Sequence, residues 1–341
     1  MFTRIHYLTT SLFLLSVLSI AQPVGVWDQV PEDKKNIIET ICLYPADQRH
    51  DVLIAAAHPE IIVRMGNIRT NTEFQFKDKM SGISEEDQKR IYNLTRYTDL
   101  MNAIGSHRQP RTNEEMKELL KDFPEEIHED AIFINLHYFN TIVDINQLYR
   151  QANQDFQKLL AAYPEDLRKV YMKLSGLPEI VSLLSTNLDV TVIIGDEYRT
   201  HPEHLIKELD SLSVVVAEAR AQDLNNWKTE LESNPEALKE YQASANEFAA
   251  RDKEYTDDVY DGNVQETQDQ DVNVHVNWTY YYPYWFGWPW WYGYECWYPY
   301  PWWYHWGFYY GPQHSMIIWG FPSDFYMYWY FWYDPHLYHY P

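Results

Sequence analysis

The sequence predicts a mainly α-helical protein of tandem helical repeats of about 40 residues, solenoid-like or bundled. An aromatic-rich C-terminal segment of short strands and turns follows. Three observations support this fold class: proline-containing anchors return at nearly constant spacing, apolar residues around them recur at helical intervals, and the composition changes after residue 250. In chain order we predict a signal peptide over 1–21, a helical repeat domain over 22–250, an acidic flexible linker over 251–271 and an aromatic tail over 272–341.

The first 21 residues have the pattern of a secretory signal peptide. Arg4 provides a basic start, and residues 8–20 form an apolar run that suits a signal core but is too short to span a bilayer. Ser19 and Ala21 place small side chains where signal peptidase cleaves, so we expect cleavage before Gln22. A signal that is retained as a membrane anchor is the alternative. The pattern predicts export from the cytoplasm.

Charge and cysteine content narrow the possible partners. The formal net charge is −23, and such a polyanion is repelled by nucleic acid and by anionic lipid headgroups. We therefore expect no nucleic-acid partner. Cys42 and Cys296 are the two cysteines of the chain, and export would permit a disulfide between them. Two cysteines so far apart do not make a disulfide framework, so we prefer a buried thiol at Cys42.

Five anchors divide residues 31–215 into segments of nearly equal length. Each anchor opens an acidic segment of helical character, and the second copy is degenerate because serine replaces proline. The anchors are Tyr44-Pro45, Ile83-Ser84, Phe123-Pro124, Tyr163-Pro164 and His201-Pro202, with successive spacings of 39, 40, 40 and 38 residues.

Apolar residues keep the same offsets from these anchors, as the apolar stripe of an amphipathic helix requires. A unit of this size cannot bury its stripe alone, so we expect neighbouring units to stack around a continuous core. An ordinary helical bundle with accidental spacing is the alternative. The residues seven before the anchor are Ile37, Phe76, Met116 and Phe156, those eight after it are Val52, Ile91, Ala131 and Tyr171, and those eleven after it are Ala55, Leu94, Ile134 and Leu174.

Prolines followed by acidic residues mark the predicted helix starts. Pro45, Pro124 and Pro164 are placed in a first helical turn, where the missing amide hydrogen is not needed. Acidic residues after them favour the positive end of the helix dipole. Thr112 is predicted to cap another helix, because its side-chain oxygen can accept a hydrogen bond from a first-turn amide.

Two blocks resemble an uncharacterised family of exported bacterial proteins that is classed as a domain of unknown function. They are LYPADQRHDVLIAAAHPEIIVRM over 43–65 and LPEIVSLLSTNLDVTVIIGDEYRTHPEHLIKELDSL over 177–212. The family's Tyr-Pro-Asp helical blocks are also followed by a Tyr-, Trp- and Pro-rich C-terminus. This chain departs from the family by having Val190 where tryptophan is usual, and by carrying extra repeat copies. The resemblance implies a helical fold and export to the periplasm or surface of a bacterial cell, and it implies no catalytic residue.

The segment between the helical domain and the tail has a distinct composition. Residues 251–271 are acidic, rich in glutamine and almost free of aliphatic side chains, which predicts a flexible linker. Residues 272–280 alternate valine, tryptophan and tyrosine with polar side chains, which predicts a β-strand with one apolar face.

The tail is dominated by aromatic residues. Residues 278–341 contain 34 of them among 64, and proline or glycine interrupts them every few positions. This spacing excludes a long helix or a transmembrane helix. A module of this size buries only about 60% of its surface, so many rings would stay exposed. We therefore predict that the tail binds a partner. The candidate partner-binding residues are Trp285, Trp288, Trp290, Trp291, Trp297, Trp302, Trp303 and Trp306.

Four partners suit such a tail. It could pack on the helical domain of its own chain, lie at a membrane interface, where Trp and Tyr are favoured, stack on the sugar rings of a glycan, or bind another protein, including a second copy of itself. The glycan interpretation is weakened because the tail offers few groups that hydrogen-bond sugar hydroxyls. These are Glu295, Gln313, Asp324 and Asp334.

The sequence contains no recognisable catalytic or cofactor-binding motif, whether HExxH, Gly-x-Ser-x-Gly, a phosphate-binding glycine loop or a Cys–His nucleophile signature. His201 and His204, near Glu203, could share a helical face as metal ligands. No third ligand follows at a motif spacing, so we prefer a solvated helix start. We predict no catalytic residue, no cofactor and no metal.

These observations predict an exported, non-catalytic interaction or scaffold protein of the cell envelope, whose aromatic tail adheres to a partner, to a membrane interface or to itself. The alternative is an envelope glycan-processing or hydrolytic factor whose aromatic tail holds substrate. A cleft that joins two carboxylates or a His–acid pair would favour the enzyme.

Overall fold

A computed structural model describes residues 25–233, 235, 282–291 and 297, with the strand residues 309–310 and 316–317. The predicted signal peptide, the linker and the strand predicted over 272–280 lie outside the described residues. The predicted mainly α fold is confirmed. The helices are α1 Val26–Gln29, α2 Lys35–Cys42, α3 Ala46–Ala56, α4 Pro59–Met80, α5 Glu85–Arg96, α6 Thr98–Gly105, α7 Asn113–Leu120, α8 His128–His137, α9 Phe139–Leu160, α10 Glu165–Leu174, α11 Pro178–Thr186, α12 Leu188–Thr200 and α13 Pro202–Ser233.

Short elements complete the described structure. Single 3₁₀ turns are found at Glu32–Lys34, Glu125–Ile127 and Tyr284–Phe286. Two antiparallel strands of two residues each, β1 Tyr309–Tyr310 and β2 Met316–Ile317, pair Tyr309 with Ile317.

The predicted helix starts are close to the observed ones. Pro45 and Pro164 are the N-cap residues of α3 and α10, one position before the predicted first turn. Pro124 precedes a 3₁₀ turn, so α8 begins only at His128. The cap predicted at Thr112 is confirmed: its hydroxyl accepts from the Glu115 amide at 3.2 Å, and the Glu115 carboxylate accepts from the Thr112 amide at 2.8 Å.

All twelve apolar residues that keep a constant offset from the anchors are buried. The described core nevertheless consists of two clusters rather than one continuous layer. The first cluster joins α1–α3 and α10–α13 with the N-terminal half of α4 and the C-terminal half of α9. The second cluster joins α5–α8 with the other halves of α4 and α9. Because each long helix contributes to both clusters, the packed pair of α4 and α9 connects them.

The buried thiol predicted at Cys42 is confirmed. Cys42 lies in the first cluster, and burial raises the pKa of its thiol to about 12. The thiol therefore stays protonated at neutral pH and packs as a small apolar group.

Helix α12 approaches α3 closely at Gly195. A β-carbon at this position would lie 2.0 Å from the Ala56 carbonyl oxygen, well inside van der Waals contact. The absence of a side chain therefore lets the two helices pack together.

Replacing Gly195 by alanine should destabilise the protein by about 1–3 kcal/mol, because the new methyl group forces α12 away from α3. Urea denaturation followed by circular dichroism measures the change. Gly66→Ala within α4 is the matched control, since the nearest atom to its added β-carbon is Ser185 Cβ at 4.0 Å. We expect that substitution to stabilise α4 by roughly 0.5–1 kcal/mol. Equal effects of the two substitutions would contradict the close packing at Gly195.

Asp130 on α8 makes stability depend on pH. Burial raises the pKa of its carboxyl from 3.8 to about 6, although the Arg90 guanidinium, 3.5 Å away, opposes the rise. The native state therefore holds this proton to higher pH than the unfolded chain does. Stability should fall as pH rises from about 4 to about 6, with the full loss present above about 6.

Asp130→Asn should remove this dependence, because asparagine does not ionise. We expect the free energy of unfolding of the variant, relative to the wild type, to rise between pH 4 and pH 6 in urea titrations. Asp122→Asn, at an exposed position, is the control and should follow the wild type. If the free energies of unfolding of the wild type and Asp130→Asn differed by the same amount from pH 4 to pH 6, the Asp130 carboxyl would have its ordinary pKa, and the prediction would be wrong.

Candidate functional site

Residues 282–291 and Trp297 of the tail lie in a groove formed by α4, α9 and α5; we refer to them as the docked segment. It covers the joint between the two clusters. Tyr284, Trp285 and Trp297 belong to the first cluster, while Tyr282 and Phe286 belong to the second. The docked segment therefore contacts both halves of the core.

Aromatic rings form most of the contact with the second cluster. Phe286 stacks on Phe76 of α4, with ring centroids 4.5 Å apart and an interplanar angle of 22°. Tyr92 of α5 makes edge contacts with Tyr282 at 5.4 Å and with Trp291 at 4.9 Å. Offset stacks and edge contacts are the arrangements that aromatic quadrupoles favour, so these rings are well placed.

Hydrogen bonds from buried polar atoms position the segment. The Trp285 indole Nε1 donates to Asn153 Oδ1 of α9 at 3.0 Å. The Tyr92 hydroxyl donates to the Phe286 carbonyl oxygen at 3.3 Å. Burial, and secondarily the Glu73 carboxylate, raise the pKa of Tyr92 well above its usual value, so its hydroxyl remains a donor. The Tyr282 amide donates to the Trp297 carbonyl oxygen at 2.7 Å, which links the two parts of the segment.

A charged cluster on α4 lies beneath the rings. The Arg69 guanidinium is 5.7 Å from the ring centroid of Tyr284 and 6.0 Å from that of Trp297, within cation–π range. Glu73 accepts from Arg69 at 2.9 Å and from Lys77 at 2.6 Å. Glu73 therefore offsets part of the positive charge and holds the guanidinium against the aromatic faces.

Gly287 passes directly over Glu73. Its φ of 71° and ψ of −174° lie in a region that is essentially restricted to glycine. A β-carbon there would also lie 2.5 Å from the Glu73 carboxyl carbon. Both conditions require glycine at this turn.

The eight predicted partner-binding tryptophans have different locations. Trp285 and Trp297 are 4% and 0% exposed, so their rings contact the chain itself. Trp288, Trp290 and Trp291 are half-buried at the edge of the groove. Packing on the helical domain, the first of the four possibilities for the tail, therefore holds for residues 282–291 and Trp297. Trp302, Trp303 and Trp306 lie outside the described residues.

A pocket of about 290 Å³ opens beside the docked segment. The helices α1–α13, which we call the body, contribute the α5–α6 junction, the α10–α11 junction and side chains from α9 and from the turn after α7. The docked segment contributes a further wall. The lining residues are Arg96, Tyr97, Thr98, Asp99, Phe123, Tyr149, Ser175, Gly176, Pro178, Tyr282, Pro283 and Tyr284. Aromatic rings, the acidic residue Asp99, the basic residue Arg96 and six hydroxyl-bearing residues thus line one small space.

A His–acid cluster lies elsewhere, where α12 meets α13. Glu197, only 6% exposed, places Oε1 3.1 Å from His201 Nδ1 and 3.5 Å from His204 Nδ1. Its other oxygen accepts from Gln29 at 3.1 Å. The two histidines therefore contact a buried carboxylate rather than forming only the solvated start that we preferred, and Glu203 is exposed. Among the described residues, no group of three His, Cys, Asp or Glu could hold a metal ion.

Sequence reasoning missed the polar residues of the groove, because Arg69, Glu73 and Asn153 belong to no short motif. A signal was nevertheless available. Arg69 and Tyr149 are 80 residues apart, as are Glu73 and Asn153, which is twice the spacing of the anchors. All four contact the docked segment.

Comparison with known proteins adds no relative: no family model matches the chain, and no curated protein or solved structure matches it significantly. Within the described part of the chain, no single helix combines the length and apolarity needed to cross a membrane. Helices α11 and α12 together reach that length and composition, but they meet at a bend of 98°.

Replacing Gly287 by alanine should release the docked segment, since the backbone strain alone costs on the order of 1–3 kcal/mol. Chymotrypsin cleaves after aromatic residues, so cleavage within 282–291 under native conditions measures release. We expect cleavage roughly 5–150 times faster than in the wild type. Gly82→Ala is the control, because its β-carbon would meet no atom within 4 Å. Unchanged cleavage of Gly287→Ala would show that the segment is not held by this turn.

Proposed function

We propose that the protein is an exported, non-catalytic interaction scaffold of the cell envelope, in which a helical body anchors the first part of an adhesive aromatic tail. Export is supported by the signal-like pattern of residues 1–21 and by the resemblance to an exported bacterial family. The observation that carries the proposal is the docked segment, which buries Trp285 and Trp297 in a groove of the body.

Anchoring explains why the groove combines rings with charges. The rings of the docked segment remove apolar surface from water, while Arg69, Glu73 and Asn153 satisfy polar groups and set one orientation. The tail after Trp297 is thereby attached to the body by contacts as well as by the chain. That remainder, which contains Trp302, Trp303 and Trp306, is the adhesive surface.

The body is made of two equivalent units, each containing two of the 40-residue repeats. Helix lengths support this: α2–α6 have 8, 11, 22, 12 and 8 residues, and α7–α11 have 8, 10, 22, 10 and 9. In this comparison α3 is equivalent to α8, α4 to α9, α5 to α10 and α6 to α11. The contacts between the units are then equivalent too: α3 packs on α10 as α8 packs on α5, and α4 packs on α11 as α9 packs on α6.

Close helix contacts repeat at the same offset of 80 residues. Gly66 of α4 faces Ser185 of α11, and Gly105 of α6 faces Asn146 of α9. Gly66 and Asn146 are 80 residues apart and occupy equivalent positions on the long helices α4 and α9, and Gly105 and Ser185 are equivalent in the same way on α6 and α11. The glycine therefore lies on the long helix in one contact and on the short helix in the other. The docked segment lies where the two units meet along α4 and α9.

Removing the distal rings should abolish adhesion while leaving the anchor intact. The test compares full-length mature protein with the triple variant Trp302→Ser, Trp303→Ser, Trp306→Ser in sedimentation with neutral lipid vesicles, with insoluble cell-wall glycan and without additive. We expect the wild type to sediment with one material, or to self-associate, and the triple variant to lose at least about tenfold in affinity, which is 1.4 kcal/mol.

Phe74→Ser is the matched control, because Phe74 is an aromatic side chain on α4 that is 72% exposed. It should leave adhesion unchanged. A wild type that stays monomeric in buffer with every material would contradict the proposal. An equal loss in Phe74→Ser would also contradict it, because adhesion would then depend on general surface apolarity.

A further inference from the structure

The pocket beside the docked segment is built where corresponding parts of the two units meet. The α5–α6 junction supplies Arg96 to Asp99, and the α10–α11 junction supplies Ser175, Gly176 and Pro178. Tyr149 of α9 contributes another wall. Tyr282, Pro283 and Tyr284 close the remaining side. The pocket is therefore complete only when the tail is docked.

Its lining has two kinds of surface. Phe123 and Tyr149 are half-buried and offer ring surface on which the C–H face of a sugar ring can stack, whereas Tyr97, Tyr282 and Tyr284 are almost fully buried and complete the walls. Polar groups lie between these rings and can bond to hydroxyl groups in several directions. The polar side chains are Arg96, Thr98, Asp99 and Ser175.

Size and charge restrict the ligand further. A volume of about 290 Å³ lies just below the usual range of small-ligand pockets, roughly 300–1,000 Å³, and suits one ring rather than a chain buried along its length. The exposed Asp99 carboxylate and the net charge of −23 disfavour an anionic ligand. The Arg96 side chain, 7% exposed and 5.5 Å from the Tyr97 ring, is already oriented by the protein.

We propose that this pocket binds one neutral sugar ring, such as a hexose or an N-acetylhexosamine at the end of a glycan. The inference rests on the proposed function, because it names one class of partner for the scaffold. It also explains how a tail that is poor in acids and amides can contribute to glycan binding. The tail closes the pocket, and the body supplies the rings of Phe123 and Tyr149 together with Asp99.

Saturation-transfer NMR with the full-length mature protein tests the proposal. The probes are glucose, galactose and N-acetylglucosamine, with glucuronate as the anionic comparison. We expect saturable binding of at least one neutral sugar and at least tenfold weaker binding of glucuronate. Asp99→Ala should weaken binding of the neutral sugar at least tenfold. Asp99 is exposed in the first turn of α6, so the variant should fold, which circular dichroism checks.

Two further variants make the outcome specific. Asp122→Ala, exposed and outside the pocket, should bind like the wild type. Gly287→Ala lies outside the lining but displaces the docked segment, so it should also lose at least tenfold in affinity. Absence of saturable binding by all three neutral sugars, or equal binding by wild type and Asp99→Ala, would overturn the inference. If adhesion through Trp302, Trp303 and Trp306 persisted in that case, the proposed scaffold function would still stand.

Discussion

The packing of α4 against α9 is the contact on which the rest of the structure depends. Each helix has 22 residues and is therefore about 33 Å long, which is enough to contribute one half to each cluster. Because α4 runs from the first cluster to the second and α9 runs back, the pair forms an antiparallel frame. The shorter helices add layers on this frame at each end.

This frame also creates the site. Where the two clusters meet, the docked segment packs on the long pair with rings of residues 282–291 and Trp297. A purely apolar groove would accept rings in many orientations. Arg69, Glu73 and Asn153 limit them, because each buried polar atom needs its partner in one place. The pocket at the junctions is a consequence of the same geometry.

Much of the helical body could be predicted from local chemistry. The offsets that placed Phe76 and Phe156 on apolar stripes were reliable, because helical periodicity alone decides which face of a helix is apolar. The cap at Thr112 followed from hydrogen bonding over three residues. The division into two clusters could not be predicted in this way. The division depends on which apolar stripes pack against each other. These stripes can be far apart in sequence, since α3 packs on α10, more than 100 residues later.

The sequence by itself therefore determined that the body is helical and where several helices begin, and it predicted a tail too aromatic to be fully covered by itself. Tertiary structure alone decided which rings are hidden. Trp285 and Trp288 are three residues apart and chemically identical, yet Trp285 is buried on Asn153 and Phe156 while Trp288 is half-buried. The reason is that burial depends on the residues that α4 and α9 place opposite each ring, and those residues lie more than 100 positions away.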